Sequence, residues 1–252
     1  MHKNTSDDIK EYYNRMTASY LDIYGDVIQA FRPADTERLL DYIARSAGIN
    51  WNMKVLDLGC GVAGPAIYFS KKWNVNIDAV TVSEVQAKIA AEKISQENLD
   101  EKVRVHTGDY HQLEQLPIAD DSYDVVLFLE SLGHSYDIQL AAEEAARKLK
   151  AGGILYIKDF YRKKGENSSE QQKIDAIIRN IDRHYAYNTL DLETLKTALL
   201  RAGFKIVFVQ PFDFMDDISV RYNFEQANDI DIFEGVPEFY PAEWLEIKCI
   251  KA

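Results

Sequence analysis

Cysteine is nearly missing from this chain: Cys60 and Cys249 are the two among 252 residues, far apart and without metal-ligand spacing. That excludes a disulfide scaffold and a cysteine-rich metal centre, and no other metal-binding motif is present. Positive charge is also short. Lys and Arg number 29 against 41 Asp and Glu, a net charge of −12, which argues against a general nucleic-acid binder because phosphates demand a basic surface. One local basic pocket is still compatible with that balance. No apolar run approaches the roughly 18 residues of a membrane span, and Met1–Thr5 is not followed by a secretory apolar core. Repeats, low-complexity tracts and linkers are missing too. What remains is a 46% hydrophobic composition over a length that can bury one large core, so one α/β domain over residues 1–252 is expected, soluble and cytoplasmic. A homo-oligomer is left open.

The informative stretch is Val55-Leu56-Asp57-Leu58-Gly59-Cys60-Gly61-Val62-Ala63-Gly64. It reads as a buried strand, a glycine turn and the start of a helix at Pro65, the junction at which open α/β sheets bind ligands. The spacing also satisfies the dinucleotide pattern G-x-G-x-x-G, so an NAD(P)-dependent oxidoreductase is an alternative. Against it, Asp57 puts an acid where such a strand carries an apolar residue, and burying it is costly unless a positive or hydrogen-bonding group meets it. The next strand, Asn76–Thr81, ends without the acid of an NAD ribose site and runs into Thr81-Val82-Ser83-Glu84-Val85-Gln86.

On these residues the chain resembles the class I S-adenosylmethionine (SAM) methyltransferases. The Thr-x-Ser-x-x-Gln run is similar to their small-molecule branch, which includes cyclopropane synthases, tocopherol methyltransferases and prenyl diphosphate methyltransferases. The alternation of strands and helices, with a terminal strand pair, predicts a Rossmann-like seven-stranded sheet. Its order is 3-2-1-4-5-7-6, with strand 7 antiparallel and helices on both faces. The resemblance adds an N-terminal helical lid within residues 1–48 and substrate-pocket insertions at 161–190 and 211–241. It implies SAM as cofactor, with Asp57, Gly59, Cys60 and Gly61 at the methionine end. Thr81, Val82 and Gln86 would meet the ribose, and Gly108, Asp109 and Tyr110 the adenine. Tyr12, Tyr13 and Tyr20 of the lid would lie near the pocket. A non-catalytic SAM-binding module is a further alternative.

Ser6 is placed to cap the first helix, and Ser83 the helix that carries Gln86. Val125–Leu129 is a continuous apolar run, as in a central parallel strand, and it ends in Glu130-Ser131-Leu132-Gly133-His134. Related enzymes carry Glu-Ser or Glu-His there, so Glu130 and His134 are candidates for a general base or for holding the acceptor, Glu130 also touching the cofactor. Either could instead merely brace the loop. His111 reads as a bystander. Arg32, at the pocket entrance or else on the surface, and Tyr161, Arg179, Arg183 and His184 of the insertion after strand five are candidates for contact with a small-molecule substrate. For a prenyl diphosphate, the basic side chains would hold the diphosphate while aromatic faces stabilise a cation; for a phenol, amine or carboxylate, a base would take the proton. Residues 212–240 read as the least regular part, completing the pocket.

Overall fold

The computed structural model describes residues 3–212, 219–236 and 239–252. The expected pocket insertion at 211–241 therefore lies partly outside the described residues. Seven strands form one sheet in the order β3-β2-β1-β4-β5-β7-β6. They are β1 (Lys54–Leu58), β2 (Asn76–Thr81), β3 (Val103–Thr107), β4 (Tyr123–Leu129), β5 (Leu149–Arg162), β6 (Phe204–Pro211) and β7 (Ala242–Lys251). β7 lies antiparallel between β5 and β6, while β1 pairs in parallel with β2 and β4. This is the order expected from the alternation of elements.

Two apolar layers cover the sheet. On one face α2 (Thr36–Ala47), α3 (Gly64–Trp73) and α4 (Glu84–Gln96) bring Leu39, Ile43, Phe69 and Ile94 onto Val55, Ile77 and Val125. On the other, α5 (Ile138–Lys148) and α7 (Leu192–Arg201) pack Ala141, Ala145, Leu195 and Leu199 against Leu56, Val126 and Leu155. Strand residues alternate between the layers, so consecutive positions of β1 serve both, as a period of two requires.

A third, aromatic cluster stands above the sheet's carboxyl edge. There α1 (Ser6–Tyr24) meets α8 (Ser219–Ala227) and the end of α6 (Ser168–Tyr185), with Tyr20 stacked on Phe224 at 4.2 Å between centroids. The cap of α1 is Thr5 and not Ser6: the Thr5 side chain accepts from the Asp8 amide, and Asp8 reaches back to the Thr5 amide. Ser6, one residue into the helix, is thereby free for another role. Helix α8 falls in the stretch expected to be irregular. Its nine residues carry a single fully buried aromatic, Phe224, so no apolar stripe announces it in the sequence.

Candidate active site

At the carboxyl ends of β1 to β4 lies a cleft of about 840 Å3. Every residue expected to hold a cofactor between Asp57 and Glu130 is in its wall, while α1 roofs it with Ser6, Ile9 and Tyr13. Asp57 is 2% exposed, and its Oδ2 has no hydrogen-bond partner. Burial pushes its pKa up to about 7. An orphaned buried carboxyl of this kind fits a ligand that arrives with its own cation.

The turn after β1 allows close approach. A Cβ on Gly59, at φ +89°, would stand 2.3 Å from that of Ser131. One on Gly64 would meet the Asp26 carbonyl oxygen at 2.1 Å. Helix α3 opens from Ala63 at φ 64° with no side-chain cap, and Pro65 at its start lines the cleft beside Gly61 and Val62.

Gln86 is buried in the first turn of α4. The Thr81 hydroxyl donates to its Oε1 at 2.9 Å while accepting from the Ser83 amide at 3.2 Å. What Gln86 offers the cleft is therefore its NH2, a donor suited to hydroxyl oxygens. Asp109 is held from both sides. One oxygen accepts from the backbone and ring nitrogens of His111, at 2.8 and 2.6 Å, and the other from the Ser6 hydroxyl and from Tyr136 at 3.3 Å. Burial alone would raise its pKa, but the bonds from His111 and Ser6 hold it below the usual carboxylate range. His111 is thus no bystander: it lines the cleft and orients Asp109.

A second cavity of about 900 Å3 adjoins the first, and Tyr13, Ile28 and Glu130 line both. Its wall is aromatic, including Tyr20, Tyr24, Phe160, Tyr185, Tyr187 and Trp244, with Arg221 the one cationic side chain among the described lining residues. At the junction the Tyr13 hydroxyl lies 2.8 Å from His134 Nε2. His134 Nδ1 faces the Ala186 carbonyl at 2.9 Å, which keeps the ring proton on Nδ1 and leaves Nε2 to accept from Tyr13. Burial lowers the His134 pKa to about 4, so the ring is neutral near pH 7. Glu130, at φ 56°, is engaged differently. Its carboxylate pairs with Lys158 and accepts from the amides of Ala30 at 2.6 Å and Phe31 at 3.3 Å. With two of its three bonds on the amides of Ala30 and Phe31 and the third on Lys158, the carboxylate braces that segment.

Several expected contacts are corrected. Tyr12 lines neither cavity and bonds to the Tyr20 hydroxyl at 2.8 Å, while Tyr20 faces the aromatic cavity and not the cofactor cleft. Arg32 turns inward to donate to the Tyr24 carbonyl at 2.9 Å, and Tyr161 is packed in the core; neither reaches a cavity. Arg179 is exposed, and Arg183 and His184 meet the surface residue Glu234. The cause is the phase of α6: Ile174, Ile177 and Ile178 turn its apolar stripe inward, which carries the intervening basic residues out. Two contributors went unforeseen, Ser6 and Lys158. The signal for Lys158 was visible as a Lys-Asp pair inside the apolar strand Ile154–Phe160.

A family profile described as "Methyltransferase domain" matches residues 56–157. Over that span the chain is similar to methyltransferase domains. The matched span holds β1 to β4, the glycine turn, Gln86, Asp109 and His134. A sterol 24-C-methyltransferase of Clavispora lusitaniae is 27% identical over 256 residues, covering 96% of this chain and 61% of that protein. The chain spans roughly two fifths to three fifths of the length of curated relatives that it matches. Among solved structures, the geranyl diphosphate C-methyltransferase of Streptomyces coelicolor A3(2) superposes with a TM-score of 0.77 at 15% identity, covering 100% of both chains. The [4+2]-cyclase SpnF gives 0.77 at 19% identity over 100% of this chain and 97% of that one. These likenesses establish the Rossmann-like methyltransferase fold.

Proposed function

We propose that this chain transfers the methyl group of S-adenosylmethionine to a small, predominantly apolar acceptor. The observation that carries the reading is the unpartnered Asp57 carboxyl, buried in a glycine-walled cleft that opens beside an aromatic cavity. Bound SAM would supply an electrophilic methyl group on a sulfonium. Asp57 would meet the ammonium of its methionine part, with the glycine turn at 59–61 around it. Gln86 would donate to the ribose hydroxyls, and Asp109 would accept from the adenine amino group in exchange for its long bond from Tyr136. Ser6, Ile9 and Tyr13 shut out water from above.

Catalysis here is mainly positioning, which in well-oriented reactions is worth about 7–11 kcal/mol. Tyr13 lies where the two cavities meet, with its proton directed at His134, so its oxygen can accept a hydrogen bond from an acceptor hydroxyl. A neutral His134 is the side chain able to receive a proton passed through Tyr13. An acceptor that loses no proton needs only the aromatic wall.

The wall also bears on the acceptor's charge. The basic side chains of α6 that could grip a diphosphate lie at the surface, which supports a neutral acceptor over a prenyl diphosphate. No helix of the described residues is long and apolar enough to cross a membrane, and two buried, unpaired cysteines suit a reducing cytoplasm. The reading is tested by incubating the protein with methyl-labelled SAM and pooled metabolite extracts. Label should enter the organic-soluble fraction; label that enters no small molecule would count against a methyltransferase and favour another use of the fold, as in the cyclase.

A further inference from the structure

Lys158 is fully buried toward the carboxyl end of β5, directly after the apolar and aromatic run Ile154–Ile157 and before Asp159. Its ammonium pairs with Glu130 and donates to Gln29 Oε1 and to the Phe31 carbonyl, both at 2.8 Å. The rings of Phe212 and Trp244 lie 4.7 and 5.6 Å away. Glu130 completes the arrangement by accepting from the amides of Ala30 and Phe31. The segment gripped is short. Within it Gln29 lines the cofactor cleft, Ala30 lines the aromatic cavity, and Ile28 lines both.

We propose that Lys158 is a positioning residue which, with Glu130, clamps residues 28–31 as the partition between the cofactor cleft and the aromatic cavity. A buried ion pair is a weak source of stability, since desolvation offsets much of the attraction. This one makes four further hydrogen bonds, and all four fall on that segment. Phe31, stacked on Trp244 at 4.5 Å, carries the clamp into the cavity wall. The partition sets how closely an acceptor can approach the cofactor. That consequence rests on the methyltransferase reading, whereas the clamp itself is a statement about geometry.

The test is amide hydrogen exchange by mass spectrometry on the full chain, with and without S-adenosylhomocysteine, for Lys158→Met, Glu130→Gln, Glu130→Ala and the Lys158→Met/Glu130→Gln pair. The double variant removes both charges, so it leaves no unpaired buried ion and stays informative where a single variant fails to fold. Peptides covering residues 26–33 should exchange at least tenfold faster in Lys158→Met and in the double variant, while peptides from β1 and β4 stay within twofold of wild type. Glu130→Gln should fall between wild type and Glu130→Ala, because its single amide oxygen still accepts from one of the two amides, Ala30 or Phe31, that separate carboxylate oxygens hold in the wild type. Exchange at 26–33 within twofold of wild type in the double variant, or an equal rise in β1 and β4, would overturn the clamp. Failure to bind S-adenosylhomocysteine with the exchange pattern intact would instead count against the functional reading alone.

Discussion

Asp57 shows how one residue is held in tension between stability and binding. Its folded pKa of about 7 lies above the unfolded value near 3.9, so the native state binds the proton more tightly. That contribution is fully present below about pH 4 and is lost as pH rises through 7, on the order of 4 kcal/mol across the window. Asp57→Asn removes the titration. The stability difference between wild type and variant, read from urea denaturation without ligand, should therefore move in the variant's favour between pH 5 and 8. Cofactor affinity should move the other way. An ammonium favours the ionised carboxylate, so wild-type affinity should rise nearly tenfold per pH unit below 7 and level off above it, while the variant shows no such rise. His134 carries the opposite shift for the same reason, burial. Its pKa of about 4 makes Tyr13→Phe a cleaner probe than a change of pH: labelled methyl transfer should fall at least tenfold with S-adenosylhomocysteine affinity held within threefold.

Helix α1 is the element on which closure depends. Ser6, Lys10 and Asn14, spaced by four, share one face and meet Asp109, Glu84 and Ser83 in turn, the last two at 2.6 and 2.7 Å. Of those partners Asp109 lines the cleft, while Ser83 and Glu84 open α4 just before Gln86. Replacing all three with Ala should speed dissociation of S-adenosylhomocysteine at least fivefold in stopped-flow measurements. Elements also show what could be read in advance. The turn after β1 was legible because glycine at 59, 61 and 64 reports backbone geometry directly, and α2 from its apolar period and its closing Gly48. Ser6 was misread as a cap because Thr5 and Ser6 are equally able to cap; the choice is made by Asp8, three residues after Thr5. The basic residues of α6 were misassigned because a helix's rotation is set by what it packs on, which spacing alone does not reveal.

At the scale of the molecule, the sheet order brings motifs from four loops to one edge, and the sequence pattern sufficed for that order because parallel crossovers leave few topologies open. The aromatic cavity was less legible. Its wall comes from α1, α6, β5, β7 and the segments beside α8, so residues far apart in sequence meet only through tertiary packing. The central claim is that the cleft receives a cationic sulfonium nucleoside through Asp57. Isothermal titration of the purified chain with SAM, S-adenosylhomocysteine and NAD, repeated on Asp57→Asn, tests it most directly. The account predicts saturable binding of both sulfur nucleosides, at least tenfold weaker in the variant, and none of NAD. Binding of NAD with equal or greater affinity, or SAM binding unchanged by Asp57→Asn, would contradict it.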